Sequence, residues 1–328
     1  MIKLGIRVAN SITSGRGHFE RCFAISNHIT SKIIWILDEK NKFSDSKINK
    51  KDEIIYEKDN IKHSSTYQAI LENKINIIVL DSYNLSLDTV NKLSKIIPVC
   101  MFQDTEKIVD VQMIISPQPI EVNTKIDTIN LSGPIYAPIS NELIINNIDK
   151  NNDTIDILIS MGAYDSLGVT INVIKAIQNL SFRLKKIIKT TIVLGSGSPI
   201  IKKVKIIIKE DLDFNLIIDI KNMNHIYNNS DIAIGAPGLS HMERLYFGLP
   251  TILIAQNEVH EPLVDKWVNL GCAIKSHNCI KVIEKKILYM IKNKEIRKEL
   301  IKNGKKIVDG KGAFRIAEAI LKVFKTYD

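Results

Sequence analysis

The sequence predicts a doubly wound α/β protein, built twice over. Short runs of Ile, Val and Leu alternate with helix-length amphipathic stretches along the whole chain. Most of these runs are continuous in hydrophobicity, as expected for strands covered on both faces of a parallel sheet. The chain has 328 residues, which at the usual domain size predicts two domains with room for real cores.

In the first half, strands are expected at 4–8, 33–37, 75–80 and 99–102, with an amphipathic helix at 20–29 after the first. In the second half they are expected at 155–160, 191–194, 216–218, 232–234 and 251–254, with helices at 170–180 and 242–247. The tract 146–153, NNIDKNND, is too polar for a core strand or helix and sets the boundary. The expected domains are 1–147 and 148–328. A closing helix at 312–325, set off by Gly310 and Gly312, can pack back on the first domain.

Composition removes several classes. No apolar run approaches the roughly 18–20 residues of a membrane span, and the start, MIKLGIRVAN, reads as a strand and not as a signal peptide. Cys22, Cys100, Cys272 and Cys279 form no C-x-x-C pair, which predicts reduced thiols in a cytoplasmic protein. The net charge of +9 suits an anionic partner, but Lys, Ile and Asn are over-used together, which favours a coding bias as its source. The Lys-rich stretch 281–306 reads as a solvated helix face, with weak membrane-surface association as the lesser reading.

Three loops can carry chemistry. The first follows the first strand and contains Gly15, Gly17 and His18 at a helix start. Ligands in α/β sheets sit at the carboxyl ends of strands. A histidine at a helix N-terminus is held toward the neutral imidazole that a general base requires, although capping or packing is the plain alternative. The second loop, Ser160-Met161-Gly162-Ala163, offers backbone amides to a phosphate or is an ordinary turn. The third runs from Gly235 through Gly238 and Ser240 to Glu243 and Arg244. Its amides and Ser240 would face an anion, and Glu243 would either bind ribose hydroxyls or complement the helix dipole.

Other motifs carry less. Gly195-Ser196-Gly197-Ser198-Pro199 lacks the third glycine of a dinucleotide fingerprint, and Asp211-Leu212-Asp213 lies in a polar turn. Pro262 is expected to break any zinc helix beginning at His260-Glu261.

Five ordered motifs resemble one family, the pseudaminic-acid-pathway hydrolases that remove UDP from UDP-2,4-diacetamido-2,4,6-trideoxy-β-L-altropyranose. They are Gly15-Arg16-Gly17-His18-Phe19-Glu20-Arg21-Cys22; Asp81-Ser82-Tyr83; Gly133-Pro134-Ile135-Tyr136-Ala137; Gly235 to Arg244 with Gly248-Leu249-Pro250; and Val308-Asp309-Gly310-Lys311-Gly312-Ala313. Asn10 stands where the family usually has Asp, Arg16 replaces a small residue, Gln103-Asp104 replaces an Asp pair, and Pro237 is unusual.

The resemblance implies the GT-B architecture, two Rossmann-like domains facing a cleft, as in the related peptidoglycan N-acetylglucosaminyltransferase. It implies metal-independent, inverting attack of water on the anomeric carbon, with His18 as base and Tyr83 orienting water or sugar. UDP would be held by Ser160, Gly162, Ala163, Gly238, Ser240 and Glu243, with backbone near Met223 reading uracil. Gly15, Gly17 and Asn257 are candidate substrate contacts; Arg7 and Arg21 are either phosphate-facing or structural. No cofactor, metal, nucleic-acid partner or stable membrane insertion is implied, and oligomeric state leaves no signature. The competing reading is a GT-B glycosyltransferase using a UDP-sugar donor.

Overall fold

The computed structural model describes residues 2–10, 16–57, 65–82, 85–104, 109–124, 127–146, 154–184 and 187–327. The chain forms two compact units, the first from 1–141 with 310–328, the second from 142–309.

The first unit contains β1 (Leu4–Val8), α1 (Gly17–Ser26), β2 (Ile33–Leu37), α2 (Lys42–Lys47), β3 (Glu53–Tyr56) and α3 (Ser65–Glu72). It continues with β4 (Ile77–Asp81), α4 (Leu87–Leu93), β5 (Val99–Phe102), β6 (Met113–Ser116) and β7 (Ile129–Ser132). Among the described residues these strands form one parallel sheet, ordered β3-β2-β1-β4-β5-β6-β7.

The second unit contains β8 (Thr154–Ser160), α5 (Val169–Ser181), β9 (Ile187–Leu194), α6 (Ile201–Ile207), β10 (Phe214–Ile218) and α7 (Asn224–Asn229). Then come β11 (Ile232–Gly235), α8 (Leu239–Phe247), β12 (Thr251–Ile254), α9 (His260–Asn269), β13 (Ile274–Ser276), α10 (Ile280–Lys292) and α11 (Lys294–Ile307). Its parallel sheet is ordered β10-β9-β8-β11-β12-β13. The last helix, α12 (Gly312–Tyr327), belongs to the first unit.

The two-residue period of a strand explains the layering. Leu4, Ile6 and Val8 of β1, with Ile33, Trp35 and Leu37 of β2, face Phe19 and Phe23 of α1 and Ile316 and Ile320 of α12. Ile34, Ile36, Ile78 and Leu80 face the opposite side, against Ile70, Val90 and Leu93. In the second unit Ile157 and Ile159 pack with Val173 and Ile177 of α5 and Ile283 and Ile287 of α10.

Several expectations are refined. The strand expected at 75–80 runs to Asp81, which pairs with Val8. Helix α1 begins at Gly17, so Gly17 and His18 sit inside its first turn. The sequence reading missed β3, β7 and β13, edge strands of three or four residues whose side chains are only partly covered. It also missed β6, whose apolar run Met113-Ile114-Ile115 is only a fragment. Pro262 does not break α9, because a missing N–H in the first turn removes no intrahelical bond.

The expected boundary at 147/148 falls on residues outside those described. Residues 142–146 are tied to the second unit by two asparagines of α7. Asn224 accepts from the Ile144 N–H (2.8 Å) and donates to the Glu142 carbonyl (2.6 Å). Asn228 accepts from the Asn146 N–H (2.8 Å) and donates to the Ile144 carbonyl (2.9 Å). No helix of the described residues is long and apolar enough to cross a membrane.

Helix α12 starts where there is no space for a side chain. A Cβ on Gly312 would stand 2.1 Å from the Ala137 carbonyl oxygen and 2.5 Å from the Tyr136 carbonyl carbon, both backbone atoms. Gly312→Ala is therefore expected to lower stability by about 3 kcal/mol, in the range of overpacked core substitutions. Thermal unfolding of the purified variant checks this; an unchanged Tm would show that the contact yields freely.

Candidate functional site

In each unit the strand order reverses once, between β1 and β4 in the first and between β8 and β11 in the second. Such switch points open a crevice at the carboxyl ends of the strands, where ligands of doubly wound proteins bind.

At the first switch point, α1 follows β1 and carries His18, Arg21 and Cys22, while β4 ends on Asp81 and β5 is followed by Asp104. His18 Nδ1 lies 2.7 Å from Asp81 Oδ1. Arg21 grips the same carboxylate with Nε and Nη2, each at 2.5 Å. It also reaches Asp104 at 3.1 and 2.9 Å, and its guanidinium stacks 4.2 Å from the Phe102 ring centroid. The Cys22 thiol points at Asp81 Oδ2 from 3.7 Å.

The electrostatics are consistent with this geometry. Burial alone pushes the Asp81 carboxyl up, but the charge and hydrogen bonds of Arg21, followed by those of His18, outweigh it and bring it down to about 2. Burial likewise works against the Arg21 cation, and Asp104 and Asp81 together overcome it, holding its pKa well above the usual value. Burial, followed by the Asp81 charge, holds the Cys22 thiol protonated.

Asp81 is ionised and can only accept, so its short contact is met by a proton on His18 Nδ1, although Arg21 Nη2 also lies 3.2 Å from that nitrogen; with the proton there, Nε2 is the nitrogen left to act as a base. The His18 side chain keeps 12% exposure where Asp81 keeps 2%, so the ring reaches outward from a buried anchor. That is the arrangement of a general base with an orienting carboxylate.

Arg7, left by the sequence between a phosphate-facing and a structural reading, makes structural contacts. It is fully buried and binds Asp38 (2.5 Å), Thr66 (3.0 Å) and the Val8 and Ile36 carbonyls. Arg21, likewise left between those two readings, spends its guanidinium on Asp81 and Asp104. Gly17 is exposed at the start of α1, while Gly15 and Tyr83 lie outside the described residues. Asn10 is buried and clasps the loop after β2, accepting from the Asp38 and Glu39 N–H groups and donating to the Glu39 carbonyl. An Asp at that position could not donate. Arg16 stacks 4.1 Å from the Phe43 ring centroid.

At the second switch point, the turn 160–163 and the turn 235–240 follow the adjacent strands β8 and β11. Ser160 is buried at the end of β8, Gly162 is exposed with φ +91°, and the Ala163 carbonyl accepts from the Gly195 N–H (2.8 Å). The N-terminus of α5 is not open to a ligand, because Asp165 accepts from the Val169 and Thr170 N–H groups at 3.1 and 2.9 Å. Gln256 braces the same carboxylate at 3.1 Å.

Helix α8 differs. Its N-cap is Gly238, with no side-chain cap, and the space beside the Gly238 Cα is open. An uncapped helix start leaves first-turn amides for an anion. Ser240 lies in that first turn, and Glu243 follows, accepting from the Tyr227 hydroxyl at 2.7 Å. Met223 starts α7, the helix that carries Tyr227, and its carbonyl accepts the Tyr227 N–H (2.9 Å). Met223, Glu243 and Ser240 are thus linked through two adjacent helices. Asn257 is exposed after β12 and accepts from the His260 N–H (2.9 Å), turning the chain into α9.

Sequence reasoning gave no role to Asp81, Asp104, Tyr227 or Arg244. Asp81 alone had a local signal, a carboxylate ending an otherwise apolar strand.

No protein-family profile matches the chain. It is 24% identical over 177 residues to the spore coat polysaccharide biosynthesis protein SpsG of Bacillus subtilis, covering 53% of this chain. The chain spans 52% and 58% of the length of the curated relatives it matches. Its structure is similar to UDP-GlcNAc 2-epimerase from Neisseria meningitidis bound to UDP-GlcNAc. That match has a TM-score of 0.68 and 14% identity, covering 98% of this chain and 100% of the other. It is also similar to a glycosyltransferase from Rickettsia africae, with a TM-score of 0.64 and 12% identity, covering 99% and 98%. At such identities the shared property is the fold: two Rossmann-like doubly wound α/β units of the GT-B type, as the sequence predicts.

Proposed function

We propose that the chain hydrolyses a UDP-sugar, with the first unit supplying the base and the second holding the nucleotide. The contact between His18 and Asp81 carries this reading. A transferase or hydrolase of this kind must take a proton from its incoming oxygen nucleophile, and Nε2 of an Asp-anchored histidine is suited to that. In the second unit, the uncapped start of α8 and the turn 160–163 would take the diphosphate, Glu243 the ribose and Met223 the uracil side. The nucleotide-sugar titles among the fold neighbours, and the polysaccharide-biosynthesis name of SpsG, support the substrate class.

The water oxygen bonds to the anomeric carbon as the C1–O bond to the phosphate breaks. The water proton passes to His18 Nε2, and the bonding pair leaves with UDP. Tyr83 would orient the water or the sugar. The five motif matches point to UDP-2,4-diacetamido-2,4,6-trideoxy-β-L-altropyranose and the pseudaminic-acid pathway. The same resemblance supports a metal-independent reaction, and the cysteine usage supports a cytoplasmic one.

The test is proton and phosphorus NMR of the protein with this substrate, in EDTA and without an acceptor. Stoichiometric UDP and free sugar are expected. Intact substrate in the presence of bound UDP would overturn hydrolysis in favour of a transferase, and an epimerised nucleotide sugar would overturn both.

A further inference from the structure

Arg244, on the inner side of α8, is fully buried, and among the described residues no carboxylate lies within ion-pair distance of it. Its Nη2 donates to the Ala236 carbonyl at 2.8 Å and its Nη1 to Ser240 Oγ at 3.3 Å, while Nε has no acceptor. The guanidinium is pressed into the turn after β11. A Cβ on Gly235 would stand 2.7 Å from Arg244 Nη1 and 2.5 Å from the Ser160 carbonyl oxygen, so only glycine lets this cation reach the junction of the two turns. Burial draws the Arg244 pKa down to about 10, which leaves it charged near neutral pH.

A buried cation lacking a paired carboxylate is costly, and this one sits beside a helix N-terminus, itself a positive end. Both positive features face the same turn, and the charges of Tyr227 and Glu243 offset the burial of Arg244 only in part. An anion bound at that turn would compensate both.

We propose that Arg244 is the positioning residue of a diphosphate site at the turn 235–240, acting through Ser240. This rests on the nucleotide-sugar reading above and adds to it the group that organises the phosphate contacts. A serine oxygen that accepts from Arg244 must direct its own hydrogen elsewhere, which leaves the hydroxyl able to donate to an anion. The same guanidinium fixes the Ala236 carbonyl, so the first amides of α8 and the Ser240 hydroxyl are set before the ligand arrives. Its charge would also stabilise the negative charge that develops on the leaving diphosphate.

The test is calorimetric titration of the full-length protein with UDP and, separately, inorganic pyrophosphate. The variants are Ser240→Ala, Arg244→Lys, Arg244→Met and the double variant Ser240→Ala/Arg244→Lys, each checked for folding by circular dichroism. Ser240→Ala and Arg244→Lys are each expected to weaken both ligands about tenfold. The double variant is expected to be little worse than either, because the two residues act as one unit. Arg244→Met, which loses the charge as well, is expected to be the weakest single variant.

Wild-type affinity in folded Arg244 variants would overturn the proposal, as would losses that multiply in the double variant. Failure of the wild type to bind either ligand would overturn it too. If the Arg244 variants do not fold, Ser240→Ala decides, since unchanged affinity there removes the hydroxyl from the site. Arg244-dependent pyrophosphate binding without UDP binding would retain the proposal and overturn the uridine reading. UDP binding without turnover would retain it and overturn hydrolysis.

Discussion

Replacing His18 with alanine is expected to lower kcat for UDP release by about 10³-fold while UDP affinity stays within about twofold. A positioned general base typically contributes 10²–10⁴-fold, and no second histidine stands at the first switch point among the described residues. Because the nucleotide contacts are assigned to the second unit, the loss should appear in kcat and leave the UDP titration unaltered. Added imidazole should restore part of the rate, since it supplies the missing base without the missing fold. A variant with wild-type kcat would remove His18 from the chemistry, whatever its contact with Asp81.

Asp81→Asn is expected to cost nearly as much, about 10³-fold in kcat, although the ring of His18 remains. An amide in place of the carboxylate can satisfy Arg21 with its oxygen and then turns its NH2 toward His18 Nδ1. The imidazole then takes the opposite tautomer, with Nε2 protonated and no longer basic, as carboxylate-to-amide exchange does in other histidine–carboxylate pairs. Nitrogen-detected NMR of the His18 ring reads the tautomer directly and separates this loss from simple unfolding.

A stability signature accompanies it. The Asp81 carboxyl lies at about 2 in the folded protein against an ordinary 3.8, so its ionisation stabilises the fold above about pH 4 and ceases to do so as the pH falls toward 2. That difference corresponds to about 2 kcal/mol. The Tm gap between wild type and Asp81→Asn should therefore be constant near neutral pH and narrow steadily below about pH 4. A gap independent of pH would mean that Asp81 carries no special ionic role.

The residues legible in the sequence were those with local signals. His18 follows two glycines at the start of α1, and Gly238 to Glu243 lies likewise at the start of α8, so position along the chain made both candidates. The partners of His18 were not legible in that way. Asp81 lies 60 positions beyond Arg21 and Asp104 lies 83 beyond it, distances closed only by the strand order β1-β4-β5.

Arg7 shows the reverse. As a cation in an apolar strand it resembled a ligand contact, but register places it beside β2, where Asp38 neutralises it. At the start of α5 the amides of Val169 and Thr170 are taken by Asp165, a pairing with no signal in the sequence. Arg244 closed the third candidate loop in the sequence, with no role of its own. Only the close approach of Gly235 shows that it lies beneath the turn.

The return of α12 to the first unit also governs the order in which this protein can be made. The chain leaves the first unit at 141 and re-enters it at 310, so the second unit is a single insertion within the first. As the polypeptide emerges from the ribosome, the insertion is complete and can bury its own core while the first sheet still waits for the last 19 residues, 310–328. Until then Phe19, Phe23 and the β1–β2 face lack the cover that Ile316 and Ile320 provide, and the surface under the histidine helix stays wet. The His18–Asp81 pair is therefore seated on a layer that is completed only after the second unit. Loss of α12 is expected to disable the proposed base while leaving the second unit whole, although the base lies almost 300 residues earlier in the chain.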